Sequence, residues 1–96
     1  MTAVKESKLQ ERLDEARRAA AFLDDQRFRN ACQTIRDRAQ DAFRNSEQGE
    51  GGDLQRRTAH LRLVILEEIV TELLAVVDDG KYAQAELDNL RKSQKH

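Results

Sequence analysis

The segment LRLVILEEIVTELLAVV, residues 61–77, constrains the fold of this chain more than any other part of the sequence. Its apolar residues recur every three or four positions, which predicts an amphipathic α-helix rather than a strand with alternating faces. On a helical wheel the apolar arc covers about half of the circumference, and Glu67, Glu68 and Glu72 lie on the opposite side. The arc consists of Leu63, Ile65, Leu66, Ile69, Val70, Leu73, Leu74, Val76 and Val77.

This arc is wider than one neighbouring helix would cover, so it predicts two packing partners and a homo-oligomer. One predicted interface is formed by Ile65, Ile69, Leu73 and Val76, and the other by Leu63, Leu66, Val70 and Val77. Arg62 projects into the same arc. Because an unpaired buried guanidinium is costly, we expect Arg62 to meet a carboxylate or to reach solvent at the edge of an interface.

The preceding residues predict a second amphipathic helix over about 26–45. Its apolar residues fall within an arc of about 120°, and arginines line both edges of this arc. The apolar set is Phe28, Ala31, Cys32, Ile35, Ala39, Ala42 and Phe43, and the edge arginines are Arg27, Arg29, Arg36 and Arg38. Together with a third helix over about 53–78, this segment predicts an antiparallel helical hairpin in an all-α fold.

Between these helices lies the run NSEQGEGGD, in which we place the hairpin loop at residues 46–52. A phosphate-binding loop of the Walker type would need Lys-Ser or Lys-Thr after the glycines and a strand before them. Here Asp53 and Leu54 follow, and the carboxylate of Glu50 would repel phosphate. The glycines therefore predict a chain reversal, with Asp53 as the N-cap of the third helix.

Two further helices are predicted at the ends of the chain. Residues 1–23 carry an apolar seam with coiled-coil spacing, which either packs on the hairpin or extends away from it. Asp24 and Asp25 are candidate N-caps that separate this helix from the next. Gly80 predicts a left-handed C-cap after the third helix, followed by a short C-terminal helix. The seam is formed by Leu9, Leu13, Ala16, Ala20 and Leu23, and the short helix presents Ala83, Leu87 and Leu90.

Length and composition limit the class of protein. With 96 residues the chain is expected to form one small helical domain, 1–96. Its net charge of −1 provides no overall attraction to nucleic acid. Charged residues interrupt the apolar segment 61–77, so we expect no membrane span. A single cysteine, Cys32, cannot form an internal disulfide, and the polar N-terminus does not resemble a signal peptide, so we expect a cytoplasmic protein.

No residue pattern indicates catalysis, so we predict a protein that is not an enzyme and needs no metal or cofactor. Ser7, Ser46 and Ser93 lie in polar segments and form no recognisable catalytic pattern with His60 or His96. His60 and His96 are far apart in the sequence. Glu68 and Glu72 share one helix face, but the Glu-x-x-His pattern of di-metal sites is missing. Cys32 lies within an apolar stripe, which is typical of a buried small hydrophobe.

Arginine clusters raise nucleic-acid binding as an alternative to protein contact. Arg56 and Arg57 lie at the start of the third helix, and Arg27 and Arg38 lie on the second. Phosphate groups could bind to either cluster. Acidic residues interrupt the arginines of the second helix, and no stacking aromatic residues are interleaved with them. The sequence therefore favours a role for these arginines at the edges of a protein interface over direct DNA contact.

The order of these features resembles small helical proteins encoded by tailed phages and prophages. The resemblance covers residues 22–85 and consists of an Asp-capped helix with an early Phe, a charged loop, and a long Leu-rich helix ending near Gly-Lys. The matching positions are Asp25, Phe28, Phe43, Leu61, Leu73, Gly80 and Lys81. It implies a phage setting, with work in particle assembly or DNA packaging. Small terminase subunits are a further analogy, although this chain shows no helix-turn-helix.

We therefore expect a non-enzymatic assembly or adaptor protein that acts through homo-oligomerisation and contacts with phage or host proteins. If it is phage-encoded, it would act in the bacterial cytoplasm or in the virion. A DNA-binding packaging protein is one alternative, and a regulator that binds a host enzyme is another. The sequence does not separate these alternatives.

Overall fold

The computed structural model describes residues 2–94, which form three helices joined by two short connections. The helices are α1 (Thr2–Asp24), α2 (Gln26–Asn45) and α3 (Glu50–Gln94). The described part of the chain contains no strand, which confirms the all-α prediction. It divides into two compact units: residues 2–23 with 72–94, and residues 24–71. Helix α3 is 45 residues long and contributes to both units.

The break between α1 and α2 lies at Asp25, as predicted. Asp25 has extended backbone geometry, and its carboxylate accepts hydrogen bonds from the backbone N–H groups of Arg27 and Phe28, at 2.8 and 3.3 Å. These donors have no partner within the helix, so the side chain satisfies them as an N-cap. Hydrogen bonds from the Arg27 side chain, and then from the two backbone groups, lower the pKa of Asp25.

In the first unit, α1 packs against the C-terminal part of α3 around a small apolar core. Leu9, Ala83 and Leu87 are buried, and Leu13 and Leu90 pack against them. The N-terminal seam thus finds its partner within the chain over its first half. Further along α1 the pattern departs from the prediction, since Ala19 is buried and Ala20 is exposed.

Gly80 does not end a helix, which contradicts the predicted left-handed cap and the separate C-terminal helix. Helix α3 continues through this position without interruption, and Gly80 is buried. The physical reason is close helix packing, because a Cβ atom added to Gly80 would overlap the Cβ of Ala16 on α1. Glycine is therefore needed here for its lack of a side chain, and not for a positive φ.

The connection between α2 and α3 spans residues 46–49, so the predicted loop of 46–52 is too long. Helix α3 begins at Glu50 rather than at 53, and Asp53 lies in its first turn instead of capping it. Gly49 has a φ of 105°, the left-handed conformation that glycine adopts readily. Its carbonyl oxygen accepts a hydrogen bond from the Asp53 N–H at 2.9 Å, which starts the helix three residues early.

In the second unit, α2 and residues 50–71 of α3 each contribute buried apolar side chains. Cys32 and Ala39 of α2 are buried, as are Ala59 and Leu66 of α3. Three of these four side chains are small, so the core is shallow. This leaves the larger apolar side chains of α3 only partly covered, and those side chains define the candidate site.

Candidate functional site

A strip of exposed apolar side chains runs along α3 within the second unit. Leu61, Ile65 and Ile69 follow one another at four-residue spacing and are 58%, 55% and 47% exposed. Four-residue spacing places side chains in one row on a helix, so the three form a continuous surface. We call these three residues the apolar strip. The adjoining face of the same segment, about 100° round the helix from Ile65, is used internally, since Leu66 and Ala59 are buried.

A groove lies beside the apolar strip, between α2 and α3. Its volume is about 390 Å³. It is lined by Ile35, Arg38, Ala39, Ala59, Arg62, Ile65, Leu66 and Ile69. Within residues 2–94, neither Arg38 nor Arg62 forms an ion pair or a side-chain hydrogen bond. Both side chains belong to exposed residues, so the groove combines an apolar lining with two unpaired cations.

The structure divides the predicted interface residues of α3 into two groups. Leu66 is buried and four others are half-buried, so these side chains are largely used within the chain. The half-buried residues are Leu63, Val70, Leu73 and Val77, and the exposed ones are Arg62, Ile65, Ile69 and Val76. One of the two predicted interfaces is therefore mostly covered within the chain. It consists of Leu63, Leu66, Val70 and Val77. Arg62 is exposed to solvent.

A second depression at the start of α3 contains the residues proposed for nucleic-acid contact. It is lined by Phe43, Asp53, Arg56, Arg57, His60 and Leu61. The Arg56 guanidinium donates to Ser46 Oγ at 2.6 Å and to the Glu47 carbonyl oxygen at 3.3 Å, and pairs with Asp53. It therefore fastens the interhelical connection to the first turn of α3. This role leaves fewer of its donors for a ligand than the sequence suggested.

The other proposed nucleic-acid contacts differ in their pairing. Nη2 of Arg27 lies 3.4 Å from Oδ2 of Asp25, so these two side chains form an ion pair. In the described residues Arg57, like Arg38, has no ion pair. Arg57 thus lies next to Arg56 in sequence but remains an exposed, unpaired cation on α3. Of these four arginines, the groove contains Arg38, and the second depression contains Arg56 and Arg57.

Residues suited to metal binding do not come together. Across residues 2–94, no group of three His, Cys, Asp or Glu side chains is placed to hold a metal ion. Cys32 is buried and unpaired to another cysteine, as its position in the apolar stripe predicted. Glu68 and Glu72 are both exposed. His96 lies outside the described residues.

One ion pair of the first unit could not be predicted from the sequence. Arg12 donates from Nε and Nη2 to the two carboxylate oxygens of Asp79, at 3.0 and 2.7 Å. This two-point geometry fixes α1 along α3. The hydrogen bond from Arg12 lowers the pKa of Asp79, and the same bond raises the pKa of Arg12. Arg12 and Asp79 are 67 positions apart in the sequence, so no local pattern indicates this ion pair.

No helix of the described residues is both long and apolar enough to cross a membrane. Comparison of the chain with protein-family models, curated proteins and solved structures gives no match.

Proposed function

We propose that this protein is a non-enzymatic assembly or adaptor protein that self-associates through the apolar strip of α3. The observation that carries the proposal is the strip itself, in which Leu61, Ile65 and Ile69 are each about half exposed in one row. Single exposed apolar residues are common on soluble proteins, but a contiguous row beside an apolar groove is typical of an interaction surface.

The strip offers a moderate driving force. Full burial of a Leu or Ile side chain contributes about 1.5–3 kcal/mol, and roughly half of each side chain is already covered. Pairing two copies would bury six such side chains, and part of this gain is offset by the loss of translational and rotational freedom. The expected product is a dimer whose population depends on protein concentration.

The resemblance to phage-encoded helical proteins supports a setting in particle assembly or DNA packaging. In such a setting a self-associating helical protein would join identical copies or link them to another phage or host component. A test is purification from infected or lysogenic cells, in which the proposal expects co-purification with particle components and not with metabolic enzymes. Recovery of a single host enzyme instead would favour the regulator.

DNA binding is a second candidate because several arginines have no ion pair within residues 2–94. They are Arg36, Arg38, Arg44, Arg57, Arg62 and Arg91, and all are exposed. A protein that neutralises several phosphates loses affinity steeply as salt rises. Retention on duplex DNA at low salt that disappears as salt is raised would support this candidate. Absence of retention at low salt would remove it.

The solution mass measured by light scattering tests self-association. The wild-type protein is expected to show a mass above that of one 11.0 kDa chain, increasing with concentration. The Ile65→Ser variant should shift towards the monomer. A matched control is Leu74→Ser, which removes a similarly exposed aliphatic side chain on the opposite side of the same helix. A wild-type protein that stays monomeric at every concentration would contradict the proposal.

A further inference from the structure

Within the apolar strip, Leu61 and Ile65 are flanked by opposite charges, and Ile69 lies one residue beyond the acidic one. Arg57 precedes Leu61 by one helical turn, and Glu68 follows Ile65 by three residues. At about 100° per residue these four side chains fall within about 80° of one another around α3. All four belong to exposed residues of the second unit. Among residues 2–94, neither Arg57 nor Glu68 has an ion-pair partner.

From this order we infer that two copies of the protein pair through antiparallel α3 helices, related by a two-fold axis close to position 63. The inference rests on the self-association proposed above and specifies its geometry. In this register Leu61 of each copy lies opposite Ile65 of the other. Arg57 lies opposite position 69, only one residue, or about 1.5 Å along the axis, from Glu68 of the other copy.

Two-fold symmetry makes every contact occur twice. The order Arg57, Leu61, Ile65, Glu68 is complementary to itself when one copy is reversed. Two ion pairs would then lie beside four central apolar side chains, and each Ile69 would lie against the aliphatic stem of the other copy's Arg57. A parallel arrangement in the same register would place Arg57 against Arg57 and Glu68 against Glu68, and these like charges would repel. Charge complementarity thus indicates a second copy of this chain as the occupant of the strip, and it also selects the antiparallel direction.

Charge reversal tests this register. The Arg57→Glu variant would bring two carboxylates together at each end of the paired strips, and the Glu68→Arg variant would bring two guanidinium groups together there. Each variant alone is expected to raise the dissociation constant of the dimer by about tenfold or more, because two attractive pairs become repulsive. An equimolar mixture of the two variants should form a heterodimer. At one end the unchanged Arg57 of one chain meets the unchanged Glu68 of the other, and at the other end the two substituted residues meet, so both pairs are attractive. The double variant Arg57→Glu/Glu68→Arg should also recover its homodimer.

Sedimentation velocity of each variant and of the mixture provides the measurement, with circular dichroism to show that helicity is retained. A matched control is Arg36→Glu, which reverses an exposed, unpaired arginine on α2 that is not part of the strip. This variant should dimerise as the wild type does. Mixing it with Glu68→Arg should give no recovery.

The outcomes separate this inference from the proposed function. If the wild type is dimeric but the single variants dimerise equally well, or the mixture stays monomeric, the antiparallel register is wrong and self-association stands. If the wild type is monomeric at all concentrations, self-association itself is wrong, and the register fails with it.

Discussion

At the residue scale, Gly80 shows how the lack of a side chain allows two helices to pack closely. Glycine near the end of an apolar segment usually indicates a C-cap. Here Gly80 lies within α3, and its lack of a side chain allows Ala16 of α1 to approach closely. Buried Ala16 and buried Gly80 thus form a close contact between these helices in the first unit.

The Gly80→Ala substitution tests this contact. In an open helix, replacing glycine by alanine stabilises by about 1 kcal/mol. At position 80 the new methyl group would overlap the Cβ of Ala16, so we expect a loss of about 1–3 kcal/mol in the free energy of unfolding, measured by urea denaturation.

The control for this substitution is Gly51→Ala, since no atom lies within 4 Å of a Cβ added at Gly51. That variant should keep or raise stability. Adding Ala16→Gly to Gly80→Ala should recover much of the loss. A Gly80→Ala protein that is as stable as Gly51→Ala would show that the helices are not in close contact.

The Arg12–Asp79 pair predicts a pH dependence. Because the folded pKa of Asp79 is lower than its ordinary value of 3.8, folding favours the ionised carboxylate. The resulting stability is complete above the ordinary pKa and is lost as pH falls through the lower folded pKa. The free energy of unfolding of the wild type should therefore fall more between about pH 5 and pH 2 than that of Asp79→Asn. A difference between the two proteins that stays constant over this range would contradict the prediction.

At the element scale, the start of α3 depends on contacts that hold the interhelical connection. Arg56 reaches back from the helix to Ser46 and to the carbonyl of Glu47, and Gly52 is buried at a position where a Cβ would overlap that same carbonyl group. These contacts let the helix begin at Glu50, ahead of the predicted cap at Asp53.

Replacing Arg56 tests its structural role at the start of α3. In the Arg56→Ala variant, amide hydrogen exchange over residues 50–55 should become several-fold faster, because the first turn loses its link to the connection. The Arg44→Ala variant is the control and should leave exchange there unchanged, since Arg44 is exposed and makes no such link. Equal exchange rates in the two variants would show that Arg56 does not hold this turn.

At the scale of the whole molecule, α3 carries more apolar surface than the chain covers. Its 45 residues contribute to both units, yet Leu61, Ile65 and Ile69 remain exposed. A chain of this size buries only a modest core, so association with another copy would add a substantial fraction of its stability.

Self-association predicts that the melting temperature depends on protein concentration. Binding between folded copies stabilises the folded state by mass action, so the melting temperature of the wild type should rise over a hundredfold increase in concentration. The Ile69→Ser variant should show little or no rise, whereas Leu74→Ser should behave as the wild type does. A melting temperature of the wild type that is independent of concentration would argue against a dimer.

The sequence alone determined the helical class, the second helix and the break before it. Apolar residues at three- and four-residue spacing predict helices because that spacing places them on one face. Asp25 marks a boundary because its carboxylate binds N–H groups only two and three residues away. These features depend on neighbours within about one turn, so they can be predicted without knowing what packs against them.

Only the tertiary structure decided where α3 begins, that it continues through Gly80, and which part of its apolar arc is left exposed. Ala16 lies far from Gly80 in sequence, and Arg12 lies far from Asp79, yet these pairs set the packing of the first unit. The sequence likewise did not separate the internal Leu66 from the exposed Ile65, since both lie in the same arc. The physical reason is that burial depends on which distant helix covers a residue, whereas helical periodicity depends only on its neighbours.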